Sequence, residues 1–355
     1  MKKKDYAMID ILKFIFAILI VLLHTQQTCN IYPRIHSIFG VCYLFLFQLI
    51  CRLVVPFFFI TSSYFLFKGT TGGEETKQRV HKYVKRLLIL YTVWFVINIP
   101  YILFEKLGFP DNMSFNLFIK LIRDVVLNNG FPSSWFLMAS IIDAWIIWVL
   151  TKNGRNTPAI VVSIICYAIC LFMTFYNFLV SESINEIFGH INKVWKAFYI
   201  SFPYGLIYFT LGKILAEKEK KINIKPSKLV ILFIFSFVLL FAELFGFMYL
   251  YPGFSTNSYT TYLILPFVST LLVMICLRIY IPNKHIYAGL RKASTIIYCS
   301  HGSVMIILYK VISRYKLGAI FNFLILFVVI SIICLLLSLL VIKFSNKYAK
   351  LKYLY

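Results

Sequence analysis

Asp10, Lys13 and His24 stand inside an otherwise apolar run near the start of the chain, "IDILKFIFAILIVLLHTQ". Each side chain has a chemical use. Histidine exchanges protons near neutral pH and can also take an acyl group as a nucleophile. Lysine is a point charge suited to holding an anion, and a neighbouring aspartate would orient it. Their spacing is informative. Eleven residues of helix separate Lys13 from His24, which returns to within roughly 20° of the same direction about 16 Å further along the axis. Asp10 and Lys13 are an i, i+3 pair. All three lie on one helical stripe, predicted to wall a cavity open to the cytoplasm. Acyl transfer, proton-coupled transport and ion sensing all fit such a stripe. So do two plainer roles: a lysine that pairs with Asp10 and extends to the interface, and an interfacial histidine bonded to a neighbour.

Four more ionisable residues interrupt apolar stretches: Arg52, Asp143, Glu243 and His301. Placing a charge at mid-membrane costs about 2.5–3.5 kcal/mol on insertion scales, so such residues face a bundle interior or a wet cavity. Asp143 and Glu243 either pair with Arg52 or line a substrate site.

The elements that must position these groups follow from composition. Of 355 residues, 61% are hydrophobic and only 14% charged. A soluble chain of this length carries a larger charged fraction. The expected class is all-α, a polytopic membrane helix bundle forming a single integral membrane domain over 1–355. The opening "MKKKDYAMIDILKF" reads as a retained first span, because Asp10 and Lys13 interrupt the apolar run and no small-residue cleavage site follows. The eight cysteines are scattered without a C-x-x-C pair, so neither a disulfide framework nor a metal site is expected.

About 20 apolar residues cross a bilayer as a helix. About ten spans are predicted: 8–28, 38–67, 87–104, 133–151, 159–179, 198–216, 229–250, 259–280, 294–313 and 319–342. The second is long and holds Pro56 near its middle, where a kink or steep tilt is expected. With the N-terminus in the cytoplasm, the inner segments carry 25 of the 36 Lys and Arg, and the outer ones 9. That asymmetry favours an even span count with both termini cytoplasmic. The net charge of +23 is then topology and attraction to anionic lipid, and is spread too widely to suggest nucleic-acid binding.

Six stretches, in order, resemble acyltransferase family 3, the bacterial membrane O-acyltransferases of cell-surface glycans. "IDILKFIFAILIVLLH" is similar to the first-span signature, with histidine eleven positions after a basic residue. "VPFFFITSSYFLF" resembles the second-span element, although Ser63 stands where glycine is usual. "RVHKYVKRLLILYTVW", "SSWFLMA", "YFTLGKILA" and "STIIYCSHGSV" resemble the later elements. Lys13 replaces the more common arginine and cannot form its bidentate fork. The subgroup most resembled is the membrane domain of vancomycin-resistance serine racemases and related stand-alone proteins.

The resemblance implies an O-acetyltransferase of the bacterial cell membrane. Acetyl-CoA would bind from the cytoplasm as acyl donor, its phosphates meeting Lys13, Arg79 and Arg86. For the two arginines, plain topological charge is the alternative. His24 would be the catalytic residue, as general base or as acyl carrier. Trp135 would stack on a sugar ring of a surface glycan or lipid-linked acceptor, or anchor an aromatic belt. His301 would contact the donor or brace the core. Asp143 and Glu243 are candidates for the acceptor site; Asp10 and Ser63 are structural support. A transporter of an amino acid or glycan precursor is the competing reading, weakened by the lack of a repeat between the two halves. A purely structural partner would leave the buried stripe unexplained.

Overall fold

A computed structural model describes residues 6–31, 38–70, 72–109, 114–219, 221–250, 261–282, 284–315 and 318–355. Among these no strand occurs. The helices are α1 (Ala7–Thr28), α2 (Ile38–Tyr43), α3 (Val54–Phe67), α4 (Gly73–Ile97), α5 (Ile99–Tyr101), α6 (Phe115–Leu127), α7 (Trp135–Thr151), α8 (Thr157–Met173), α9 (Glu182–Val194), α10 (Phe202–Lys218), α11 (Pro226–Leu250), α12 (Leu265–Arg278), α13 (His285–Ile312) and α14 (Ala319–Phe344). A helix lies at each of the ten predicted spans. Five stretches are long and apolar enough to cross a membrane unaided: Ala7–Thr28, Gly40–Phe67, Pro226–Leu250, His285–Tyr315 and Ala319–Phe344. The start of the predicted span 259–280 falls outside the described residues. So do Arg34 and Lys316 of the outer charges, and Lys220 and the N-terminal lysines of the inner ones.

Three sequence expectations change in detail. The second span is irregular before Pro56, not at it. Leu44–Ile50 is a π-helix and Cys51–Leu53 a single 3₁₀ turn. Pro56 lies in the first turn of α3. Its missing N–H cannot bond the Arg52 carbonyl four residues back, so the preceding turn is free to leave the α-helical pattern. The third span begins well before its apolar part. α4 starts at Gly73, carries the basic residues on its first half, and bends by 62° into Ile99–Lys106. Asn98, its side chain bonded to the Trp94 carbonyl, and Pro100 mark the break. Between the third and fourth predicted spans stands a helix the span count does not include: Ser114 caps α6 by accepting from the Leu117 N–H.

The tightest helix contact joins α3 and α10. A Cβ on Gly212 would collide with the Ile60 carbonyl and with Ser63, and one on Gly205 with the Phe59 ring and Asp143. Small residues allow such backbone approach where hydrocarbon solvent gives no hydrophobic drive. Elsewhere α1 packs Ala17 and Val21 against Ala293 and Ile297 of α13, with Leu326, Ile330 and Cys334 of α14 closing that cluster.

Candidate functional site

Basic side chains from three helices converge on one cavity. Lys13 from α1, Arg79, Lys82 and Arg86 from α4, and Arg291 and Lys292 from α13 line a space of about 700 Å³, together with Asp10. Small-molecule sites occupy about 300–1,000 Å³. On α4 the lining runs from Arg79 to Leu90, about 16 Å of helix. The rim is charged; the depth is lined by Phe58, Leu87, Phe136, Leu137 and Tyr298. A charged mouth above an apolar shaft suits a ligand with an anionic head and a slender apolar arm.

Local interactions set the rim. Asp10 pairs with Arg291 at 3.4 Å, so the acid near the start of α1 holds the base near the start of α13. Lys13 lies over the Phe65 ring at 5.5 Å. Arg79 donates to the Lys68 carbonyl at 2.8 Å and pairs with Glu75 at 2.8 Å, which offsets part of its charge.

His24 is not on this cavity's wall, which corrects the expectation of one wall shared by Asp10, Lys13 and His24. It lies deeper, stacked on His301 with ring centroids 5.3 Å apart and planes at 26°. The cavity's inner end abuts the pair through Tyr298, whose carbonyl oxygen is 2.7 Å from His301 Nδ1. α13 is fixed at this level by three contacts. The Tyr298 hydroxyl donates to the Ser133 carbonyl. Gly302 lies so close to Pro132 and Ser133 that a Cβ would collide with them. Ser303 donates to Asn98 at the α4 bend. Ser133 holds a left-handed backbone, φ 62°, unusual for a residue with a side chain.

The other predicted residues divide. Trp135 begins α7 and packs inward, between Phe59 at 6.0 Å and Tyr204 at 6.2 Å. Asp143, fully buried on α7, has no hydrogen-bond partner on either oxygen among the described residues. It is not paired with Arg52, whose Nε faces Gln48 at 3.3 Å. Glu243 stands apart and is not paired with Arg52 either. It accepts from the Tyr176 hydroxyl at 2.6 Å and from the Leu263 and Ile264 N–H groups at 2.6 and 3.1 Å. Its carboxylate thus sits at the start of α12, where the helix dipole favours an anion. Ser63 donates to the Phe209 carbonyl at 2.5 Å across the α3–α10 contact, consistent with support.

Sequence reading missed Lys82, Arg291, Lys292 and the His24–His301 stack. All three lie in the basic segments that flank the third and ninth predicted spans, where the sequence places donor contacts without singling them out by number. Arg291 does stand ten residues before His301, which echoes the Lys13–His24 spacing on α1.

A family model described as an acyltransferase domain matches residues 6–343. A protein of Enterococcus faecalis named "Amino-acid racemase" is 28% identical over 222 residues, 62% of this chain and 29% of that protein. The match therefore spans less than a third of that relative's length. No solved structure matches.

Proposed function

The chain belongs to the acyltransferase-domain family matched over residues 6–343, and on that premise we propose that it is an O-acetyltransferase of a bacterial cytoplasmic membrane. Acetyl-CoA enters from the cytoplasm, and the acetyl group passes to a hydroxyl of a cell-wall or lipid-linked glycan at the outer face. The chain crosses the membrane ten times with both ends inside.

One observation carries this reading: a cavity lined by basic residues also has an apolar wall, and that wall reaches Tyr298, beside two stacked histidines. CoA presents phosphates at one end and a thioester on a slender arm at the other. Lys13, Arg86, Lys82, Arg291 and Lys292 supply cations for the phosphates, and Arg79 a further one. Charge-assisted contacts of this kind are about twice as strong as neutral ones. The apolar shaft excludes water from the arm and aims the thioester at the histidine level. His24 reacts there, either as base toward the acceptor hydroxyl or as carrier of the acetyl group. Trp135 and Asp143 face the acceptor from α7. Ser63 holds α3 on α10.

The test is acetyl transfer in sealed vesicles. Labelled acetyl-CoA on the cytoplasmic side should deliver label to an outer-face glycan only when the protein is present. Label that never leaves the CoA pool, with solute uptake in its place, would favour a transporter and end the proposal.

A further inference from the structure

His301 has a fixed tautomer. Its Nδ1 lies 3.1 Å from the Ile297 carbonyl and 2.7 Å from the Tyr298 carbonyl. Carbonyl oxygens only accept, so in the neutral imidazole Nδ1 carries the ring proton and Nε2 carries the lone pair. That lone pair is buried in a fully enclosed residue and has no hydrogen-bond partner among the described residues. A buried polar atom left unmet costs about 1–3 kcal/mol. The ring is nonetheless held firmly, by the contacts of Tyr298, Gly302 and Ser303 and by its stack on His24. The arrangement is a rigid, neutral imidazole whose basic nitrogen awaits a donor.

We propose that the two histidines divide the work: His24 carries the acetyl group and His301 Nε2 accepts the proton of the acceptor hydroxyl. This rests on the acetyl-transfer reading above. In the first half, a ring nitrogen of His24 attacks the thioester carbonyl carbon and the C–S bond breaks. The leaving CoA thiolate takes the proton from the other His24 nitrogen, giving free CoA and a neutral acetylimidazole. In the second half, the acceptor oxygen attacks the acetyl carbon while its proton moves to His301 Nε2. The bond from carbon to the His24 nitrogen then breaks. His301 passes the proton to the departing His24 ring, and both histidines are neutral again. No proton or electron is left over.

The stack suits this division. A face-on neighbour at 5.3 Å supports the His24 ring while it is acylated. The fixed Nε2 does not compete for the thioester, because its backbone bonds keep the ring from turning. Two half-reactions also fit a site fed from opposite sides of a membrane, since donor and acceptor need not be present together.

The purified full-length protein in nanodiscs, given acetyl-CoA alone and then with acceptor glycan, tests this. His301→Asn keeps an amide N–H for the Ile297 and Tyr298 carbonyls but has no Nε2. It should release about one CoA thiol per protein in a burst, and transfer to acceptor should fall at least about 100-fold, the lower range of general-base contributions. His301→Gln should behave alike, since its amide oxygen accepts a hydrogen bond but takes no proton. His24→Gln should release no burst while still binding acetyl-CoA. Transfer by His301→Asn within tenfold of the parent would overturn the assignment. So would a His301→Asn protein that binds acetyl-CoA normally but shows no burst, because His301 would then act in the first half. If the unaltered protein transfers no acetyl group at all, the functional reading fails before this one is reached.

Discussion

Asp10 of α1 and Arg291 of α13 face each other across 3.4 Å at the rim of the basic cavity. Arg291 is more than half exposed, so the pair adds little stability, about 0–1 kcal/mol. Its larger effect is on charge, because Asp10 is the acid among the cavity's described lining residues. Asp10→Asn should leave thermal unfolding in detergent within a few degrees. It should tighten acetyl-CoA binding about two- to fivefold at low salt. Weaker binding instead would mean that Asp10 serves to aim Arg291, and the electrostatic account would be wrong.

Donor affinity should track the cavity's cations and not the chain's overall charge. Lys13→Ala and Arg86→Ala are each expected to weaken acetyl-CoA binding about five- to tenfold, with the difference shrinking as salt is raised. Lys193, exposed on α9 and away from the cavity, is the control. Lys193→Ala should bind as the parent does. Equal losses from all three, read by calorimetry or label filtration, would assign the affinity to bulk charge.

The α3–α10 contact gives a stability prediction. Gly212 meets the Ile60 carbonyl too closely for any side chain, and backbone cannot retreat as a flexible side chain can. Overpacking costs about 1–3 kcal/mol, or more where backbone must shift. Gly212→Val should therefore yield little monodisperse protein. Ser63→Gly should be milder, removing one buried hydrogen bond worth about 1 kcal/mol. A Gly212→Val protein that melts with the parent would refute this packing.

The sequence made the helices legible because lipid imposes a rule that is local: backbone polar groups must be satisfied within each span. A helix accordingly stands at each predicted segment. What a 20-residue apolar window cannot register is amphipathic structure. α6 was passed over although Leu117, Leu121 and Val125 recur at helical spacing and pack in one cluster with Ile102 and Leu107. The α4 break was equally hidden, since Asn98 and Pro100 sit within an apolar run. Spacing on α1 did identify Lys13 and His24, because one helix fixes both. It could not place His24 against His301, 277 residues away, since no periodicity links two helices. The same limit hides the ion pair of Arg291 with Asp10, which joins two helices far apart in sequence.

Asp143 offers a test in which structure and function predict opposite results. Its carboxyl is fully buried, and neither oxygen has a hydrogen-bond partner among the described residues. One of its oxygens lies against Gly205 of α10. A group in that position contributes nothing as a brace. Replacing an unsatisfied buried polar group with an apolar one of similar shape is nearly neutral or stabilising. Asp143→Leu should then fold at least as well as the parent, by about 0–2 kcal/mol in thermal unfolding. If Asp143 holds the acceptor, as proposed, the same variant should raise the acceptor KM about tenfold or more while leaving the CoA thiol burst unchanged. Asp143→Asn should fall between the two, since its amide can still bond a sugar hydroxyl. An Asp143→Leu protein with a normal acceptor KM would remove the residue from the site. One that fails to fold would mean that the carboxyl has a partner in the native protein, and the acceptor assignment would lose its structural motive.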